Sequence, residues 1–258
     1  TVHTYPPPNG NVGFTRIKFA TDSIGYASTD YLHFFKTTNA GENWSNISEP
    51  PWGLEDMSVV NKDTMLSVSS SGFGGGVFRS TNGGFNWNAL GQVGGNGQPS
   101  RIYMYDKSLG FTMSSSYMRR TTNGGFNWTI IPNEAYQDII FRDTLSGWKC
   151  NSDVRRTTDG GITWTIQQLP QNPQFIVNSV ASLSISSNNI VWGVYGTILL
   201  NNNIYGLIYK TTNGGINWGY QMTDTSIHIG HYDYIQFINN INGWAIKNGT
   251  GIHTTTGG

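Results

Sequence analysis

Cysteine is all but absent: Cys150 is the only one in 258 residues. An intrachain disulfide and a thiolate metal cluster are thereby excluded, and Cys150 is expected to be a small buried hydrophobe. Charge is scarce as well. Charged residues make up 12%, about half the usual share, and 15 basic side chains balance 15 acidic ones. A nucleic-acid binder would carry a basic excess, and so would a chain attracted to anionic lipid; neither partner is expected. No apolar run reaches the ~18 residues of a membrane helix, so membrane insertion is not expected. The opening TVHTYPPPNG has neither the basic nor the apolar region of a signal peptide.

Candidates for bound groups are equally thin. The five histidines show no metal-ligand spacing, His228 and His231 coming nearest. The GFGGG run ending at Gly76 is followed by no Lys-Ser/Thr and opens no helix, so it is not a phosphate loop. No metal and no cofactor is expected.

What the chain does have is one segment written six times. RTTNGGFNW (Arg120–Trp128) recurs as KTTNAGENW (Lys36–Trp44), RSTNGGFNW (Arg79–Trp87), RTTDGGITW (Arg156–Trp164) and KTTNGGINW (Lys210–Trp218), with a partial HTTTGG from His253. The copies start at Thr37, Ser80, Thr121, Thr157, Thr211 and Thr254, spacings of 43, 41, 36, 54 and 43 residues. Periods near 40 belong to propellers and solenoids. The Gly, Asn, Thr and aromatic content, with no 3.6-residue pattern, excludes helical repeats.

A second signature precedes each copy. An apolar residue is followed seven positions later by an aromatic or apolar one: Phe19/Tyr26, Val59/Leu66, Met104/Phe111, Phe141/Trp148, Ile185/Trp192 and Phe237/Trp244. The alternation leading into it, as in Ile17-Lys18-Phe19, has the period of a strand. Each unit therefore reads as strand A, a tight turn, strand B, strand C ending at the basic residue, the repeated box, and strand D starting at Trp. Four antiparallel strands in ~43 residues make a propeller blade. The expected fold is all-β, a single six-bladed β-propeller over residues 1–258. Its blades fall at about 14–49, 54–93, 99–133, 136–170, 178–223 and 232–258, the last completed by residues 1–8 as its outer strand and so closing the propeller.

TTDGGITW (Thr157–Trp164) matches the pattern S/T-x-D-x-G-x-T-W at every fixed position, and the chain as a whole resembles the Asp-box, or bacterial neuraminidase repeat, propellers. The Phe-x5-Gly-Trp signature before T-T-N/D-G-G-x-x-W is most similar to the photosystem II assembly factor branch. Four copies depart from the pattern by carrying Asn at the Asp position: Asn39, Asn82, Asn123 and Asn213. The resemblance implies scaffolding on the face opposite the binding site. Asn or Asp closes a turn, Gly supplies positive φ, and Trp44, Trp87, Trp128, Trp164 and Trp218 anchor it. Asp159 is the one box aspartate.

Loop lengths separate two faces. The A–B and C–D connections are constant, whereas the B–C interval runs from 8 to 18 residues and the D–A interval from 13 to 21. Function gathers on varied loops over a fixed frame. Three residues before each strand A landmark stand Arg16, Asp56, Arg101, Asp138, Ser182 and Tyr234. Two readings stay open for this ring: Arg and Asp neutralise each other and close the axial channel, or they line a polar mouth for an anionic or sugar ligand. Trp52 in EPPWG, and Tyr195 and Tyr205 flanking Asn201–Asn203 in the long blade 5 excursion, are candidate loop contacts. The basic residue before each box is expected to lie solvated on the constant face.

The expected function is a non-catalytic exported module, extracellular or at the cell surface, that binds or scaffolds a protein or glycan through the varied face, as part of a larger chain or assembly. Two alternatives accompany it. One is an exo-sialidase-like glycosidase with a divergent site. The resemblance implies three Arg, an acid/base Asp and a Tyr activated by Glu for that chemistry, but no third Arg occupies the ring. Of the four glutamates, Glu42, Glu49, Glu55 and Glu134, none pairs clearly with Tyr234. The other is an assembly factor that holds a client.

Overall fold

The structure, a computed structural model, describes residues 14–29, 33–48, 50, 53–69, 76–91, 99–114, 117–187, 189–222, 226 and 229–257. Residues 1–8, proposed from sequence as a closing strand, lie outside the described residues, as do Trp52, Glu49 and His228. The described chain forms six antiparallel sheets in series. Five have four strands in the order A-B-C-D, and the sixth has three described strands. The chain divides into two compact units, Thr1–Ala135 with blades 1 to 3 and Tyr136–Gly258 with blades 4 to 6.

The seven-residue signature marks the A–B turn in each blade. Strand A ends at the landmark in blades 1, 2, 3, 4 and 6: Phe14–Phe19, Asp56–Val59, Pro99–Met104, Asp138–Phe141 and Tyr234–Phe237. In blade 5 it runs on, Phe175–Ser187. Five turns contain a self-closing loop in which the side chain two residues past the landmark accepts backbone N–H bonds. Asn61, Asp106, Asp143 and Asn239 do so at 2.7–3.0 Å, and Thr21 does the same with its hydroxyl. Strand C runs one residue beyond the basic residue, to Thr37, Ser80, Thr121, Thr157, Thr211 and Thr254, and strand D begins one residue after Trp. The shift has a simple cause: each box Thr or Ser still pairs with strand B through its backbone while its hydroxyl starts the turn.

Within each unit the core lies between successive sheets. Tyr26, Phe34, Met57 and Met65 join blades 1 and 2, and Leu66, Val77, Ile102 and Met104 join blades 2 and 3. In the second unit Trp148, Val154, Leu207 and Tyr209 join blades 4 and 5, and Trp192, Tyr232 and Phe237 join blades 5 and 6. Trp192 and Phe237 stack with centroids 4.0 Å apart. Cys150 is fully buried in the blade 4/5 cluster.

Candidate functional site

One end of every blade is consumed by its own hydrogen bonds. In the five complete boxes the Thr or Ser hydroxyl donates to the Asn or Asp side chain at 2.8–3.0 Å. It accepts the N–H of the second glycine, Gly41, Gly84, Gly125, Gly161 or Gly215. Asn39, Asn82, Asn123 and Asn213 each accept one further N–H across the turn, and Asp159 accepts two. Positive φ at consecutive residues, such as +74° and +91° at Gly124 and Gly125, explains the glycine pair. In all six blades the residue before that glycine, or its counterpart Gly257, donates to a carbonyl of the same blade's A–B turn. The box and the A–B turn thus lock together at one end of the strands.

The box tryptophans extend this scaffold. Trp44 and Trp164 pack on their own landmarks Phe19 and Phe141. Trp87 reaches the preceding blade, edge-on to Phe34 with its indole N–H donated to the Ser48 carbonyl at 3.0 Å. Trp128 and Trp218 likewise join the clusters of blades 2 and 4.

The basic row departs from the sequence expectation. Lys36, Arg79, Arg120, Arg156 and Lys210 are half-buried rather than freely solvated; only His253 is exposed. Each stands directly across from the strand B landmark, pairing Tyr26 with Lys36, Leu66 with Arg79, Phe111 with Arg120, Trp148 with Arg156, Trp192 with Lys210, and Trp244 with His253. Lys210 Nζ lies 4.1 Å from the Trp192 ring centroid, a cation–π geometry. It also donates to the Gly257 carbonyl at 2.9 Å, and burial holds its pKa below the ordinary lysine value. Lys36 makes the equivalent, longer contact to Gly83. These cations seat the next blade's box.

At the opposite end, four of the six predicted mouth residues, Arg16, Asp56, Asp138 and Ser182, are tied between neighbouring A strands. In the first unit Asp56 accepts from Arg16 Nε at 3.3 Å and from the Ile102 N–H at 3.0 Å, and Ser58 accepts from the Met104 N–H. Burial raises the Asp56 pKa, outweighing the lowering by the Ile102 N–H and by Arg16. Arg101 is half-buried and makes no side-chain hydrogen bond or ion pair among the described residues. In the second unit Asp138 accepts from the Leu183 N–H at 2.8 Å and from the Ser182 hydroxyl. Ser182 and Ser184 accept from the N–H groups of Ile235 and Phe237. Tyr234 is 47% exposed and donates to Gln236; partial burial and the Asp138 charge raise its pKa.

The blade 5 excursion is a hairpin closed by Asn201 and Asn202, both at positive φ, the geometry of a two-residue primed turn. Tyr205 is not a surface contact: it is 5% exposed and belongs to the blade 4/5 core, because its strand alternation points it at Ile198 and Phe175. Tyr195 is turned the other way. It sits at a break in both ladders of its strand with φ of +135°, and 37% of it is exposed. Bulges re-aim side chains in this manner, and a bulky residue at such a φ is a genuine outlier.

Tyr195 packs on His231, rings 5.0 Å apart. His231 Nδ1 accepts from Lys247 Nζ at 2.9 Å, and its Nε2 faces Asp233 Oδ1 at 3.1 Å, which fixes the ring with its proton on Nε2. Lys247 is held at the base of the Asn248-Gly249 hairpin, and the Asp233 N–H is anchored on the Ile246 carbonyl. Of this cluster, sequence reading singles out Tyr195 alone as a loop contact. His231 draws notice only beside His228, while Asp233, in the loop before strand A, and Lys247, at the end of strand B, carry no motif.

No family model matches the chain, and no curated protein does. Solved structures do. The structure described as YCF48 bound to D1 peptide aligns with 95% of this chain and 92% of its own, at a TM-score of 0.54 and 12% identity. The GH74 enzyme of Niastella koreensis aligns with 95% of this chain at 0.68 and 14%, and this chain spans 45% of that enzyme's length. The extracellular domain of a hybrid two-component system from B. thetaiotaomicron aligns over 99% at 0.63 and 13%, with 33% of that chain covered. At these identities the likeness carries the fold alone. The chain is an all-β, six-bladed propeller with the fold shared by YCF48 and GH74 propellers.

Proposed function

We propose that this propeller is a non-catalytic, exported binding module that presents its B–C and D–A loops to a protein or glycan, and that its repeated turn is an Asp-box used only as scaffold. The observation carrying this reading is the contrast between the ends of the strands. The same hydrogen bonds tie box to A–B turn in all six blades. The other end varies from blade to blade and holds the ordered Tyr195–His231–Asp233–Lys247 cluster.

A glycosidase needs a carboxylic acid free to give up its proton and a second group free to attack or activate water. Asp56 and Asp138 are instead engaged by backbone N–H groups of the next blade, and Asp56 by Arg16. That favours binding over hydrolysis. The D1 peptide bound by YCF48 and the extracellular placement of the two-component domain lend support to a binding role outside the cell.

The test is a screen of a glycan array and a displayed peptide library, with a varied-end variant (Tyr234→Ala/Lys247→Ala) and a constant-end variant (Ile162→Ser/Ile216→Ser). Retention should be lost in the first and kept in the second. Loss only in the constant-end variant, or hydrolysis of a bound glycan, would sink the reading.

A further inference from the structure

Resting on the binding-module reading, we infer that Tyr195, His231, Asp233 and Lys247 form a site for an uncharged saccharide ring, the Tyr195 face taking its C–H surface and Lys247 with Asp233 taking its hydroxyls. The four side chains come from strand B of blade 5, the loop before strand A of blade 6, and the end of strand B of blade 6.

Two observations point there independently. The first is backbone strain. Tyr195 holds a φ of +135°, a region that is essentially glycine's, in a sequence where glycines stand close by at Gly193 and Gly196. A glycine would adopt this conformation without cost. The chain keeps a tyrosine instead, and the strained backbone leaves its ring 37% exposed against His231.

The second is the pattern of donors and acceptors. Lys247 gives one N–H to His231 Nδ1, and an ammonium has two more. Asp233 meets His231 through Oδ1, is 48% exposed at its side chain, and keeps Oδ2 as an acceptor. The shared imidazole holds a donor-only group and an acceptor-only group on opposite sides, with one positive and one negative charge between them. Asp233 would repel a carboxylate or phosphate, and Lys247 would repel an ammonium. Hydroxyl groups suit both, since each accepts from Lys247 and donates to Asp233. The aromatic ring supplies the apolar surface that orients such a ligand.

The experiment measures binding of neutral oligosaccharides (cello-, xylo-, manno- and chito-series) by titration calorimetry, with oligogalacturonate and sialyllactose as acidic controls and the displayed peptide library as the protein arm. The variants are Tyr195→Gly, Asp233→Asn and Lys247→Met. Tyr195→Gly relieves the strained φ, so its melting temperature should equal or exceed that of the wild type, while affinity for a neutral oligosaccharide falls about tenfold or more. Asp233→Asn and Lys247→Met should each weaken it several-fold. Neutral-sugar binding that survives Tyr195→Gly, or a preference for the acidic sugars, overturns the site. Tyr195-dependent binding of peptides alone overturns the saccharide assignment and leaves the binding module standing. No binding to any of these probes overturns both.

Discussion

Asp159 offers a sharp test of how the box holds its turn. It is the one carboxylate among five otherwise equivalent positions, and it accepts more bonds than its asparagine counterparts. These come from the Thr157 hydroxyl, the Ile162 N–H, the Thr163 N–H to both oxygens, and the Thr163 hydroxyl at 2.6 Å. Partial burial pulls its pKa up, but the Thr163 and Thr157 bonds outweigh it and bring the value from 3.8 to about 2. At ~1.4 kcal/mol per pH unit that fall corresponds to roughly 2.5 kcal/mol, and solvent screening of this partly open turn reduces it to about 1 kcal/mol. The folded pKa lies below the unfolded one, so the stabilisation is present above about pH 4 and is lost as pH falls toward 2. Asp159→Asn keeps one acceptor oxygen and loses the charge and the second. Urea unfolding followed by tryptophan fluorescence should show it less stable by about 1 kcal/mol at neutral pH, and the gap should close near pH 2. Thr163→Val should remove most of the same energy, and the double variant should cost less than the two single losses together. A gap that is independent of pH, or fully additive losses, would refute this account.

Two further outcomes follow from the ties between A strands. Ser184→Ala leaves the Phe237 N–H without its 2.8 Å acceptor; the variant should lose about 1–3 kcal/mol, with faster hydrogen exchange at the Phe237 amide, and unchanged exchange would refute the tie. Asp56 behaves oppositely to Asp159: burial raises its folded pKa, so its favourable contribution is present below the unfolded value and fades as pH rises through the folded one. Asp56→Asn should therefore be at least as stable as the wild type at neutral pH, its advantage shrinking on acidification in chemical denaturation. A variant clearly weaker at neutral pH would mean that the Arg16 pair outweighs desolvation.

Local chemistry was legible in the linear chain because each device closes within a few residues. The box bonds span four residues or fewer, and the seven-residue A–B signature is a hairpin whose turn side chain sits two places past the landmark. Strand order followed from those turns, since an antiparallel sheet built on short connections has one order open to it. The loop intervals also marked which end of the strands is free to differ.

The rest depended on residues brought together from far along the sequence. The ties of Asp56 and Asp138 to the Ile102 and Leu183 amides, 46 and 45 residues away, carry no signal along the sequence. The half-buried basic row depended on boxes of the following blades, as Lys210 on Gly257 shows. Tyr195 and Tyr205 look alike as residue types, and breaks in both ladders at Tyr195 sent it to the surface while Tyr205 stayed in the core. His231, Asp233 and Lys247 carry no motif at all. They came together only when blade 6 set the end of its strand B beside the loop that enters it, because such contacts answer to three-dimensional distance and not to spacing along the chain.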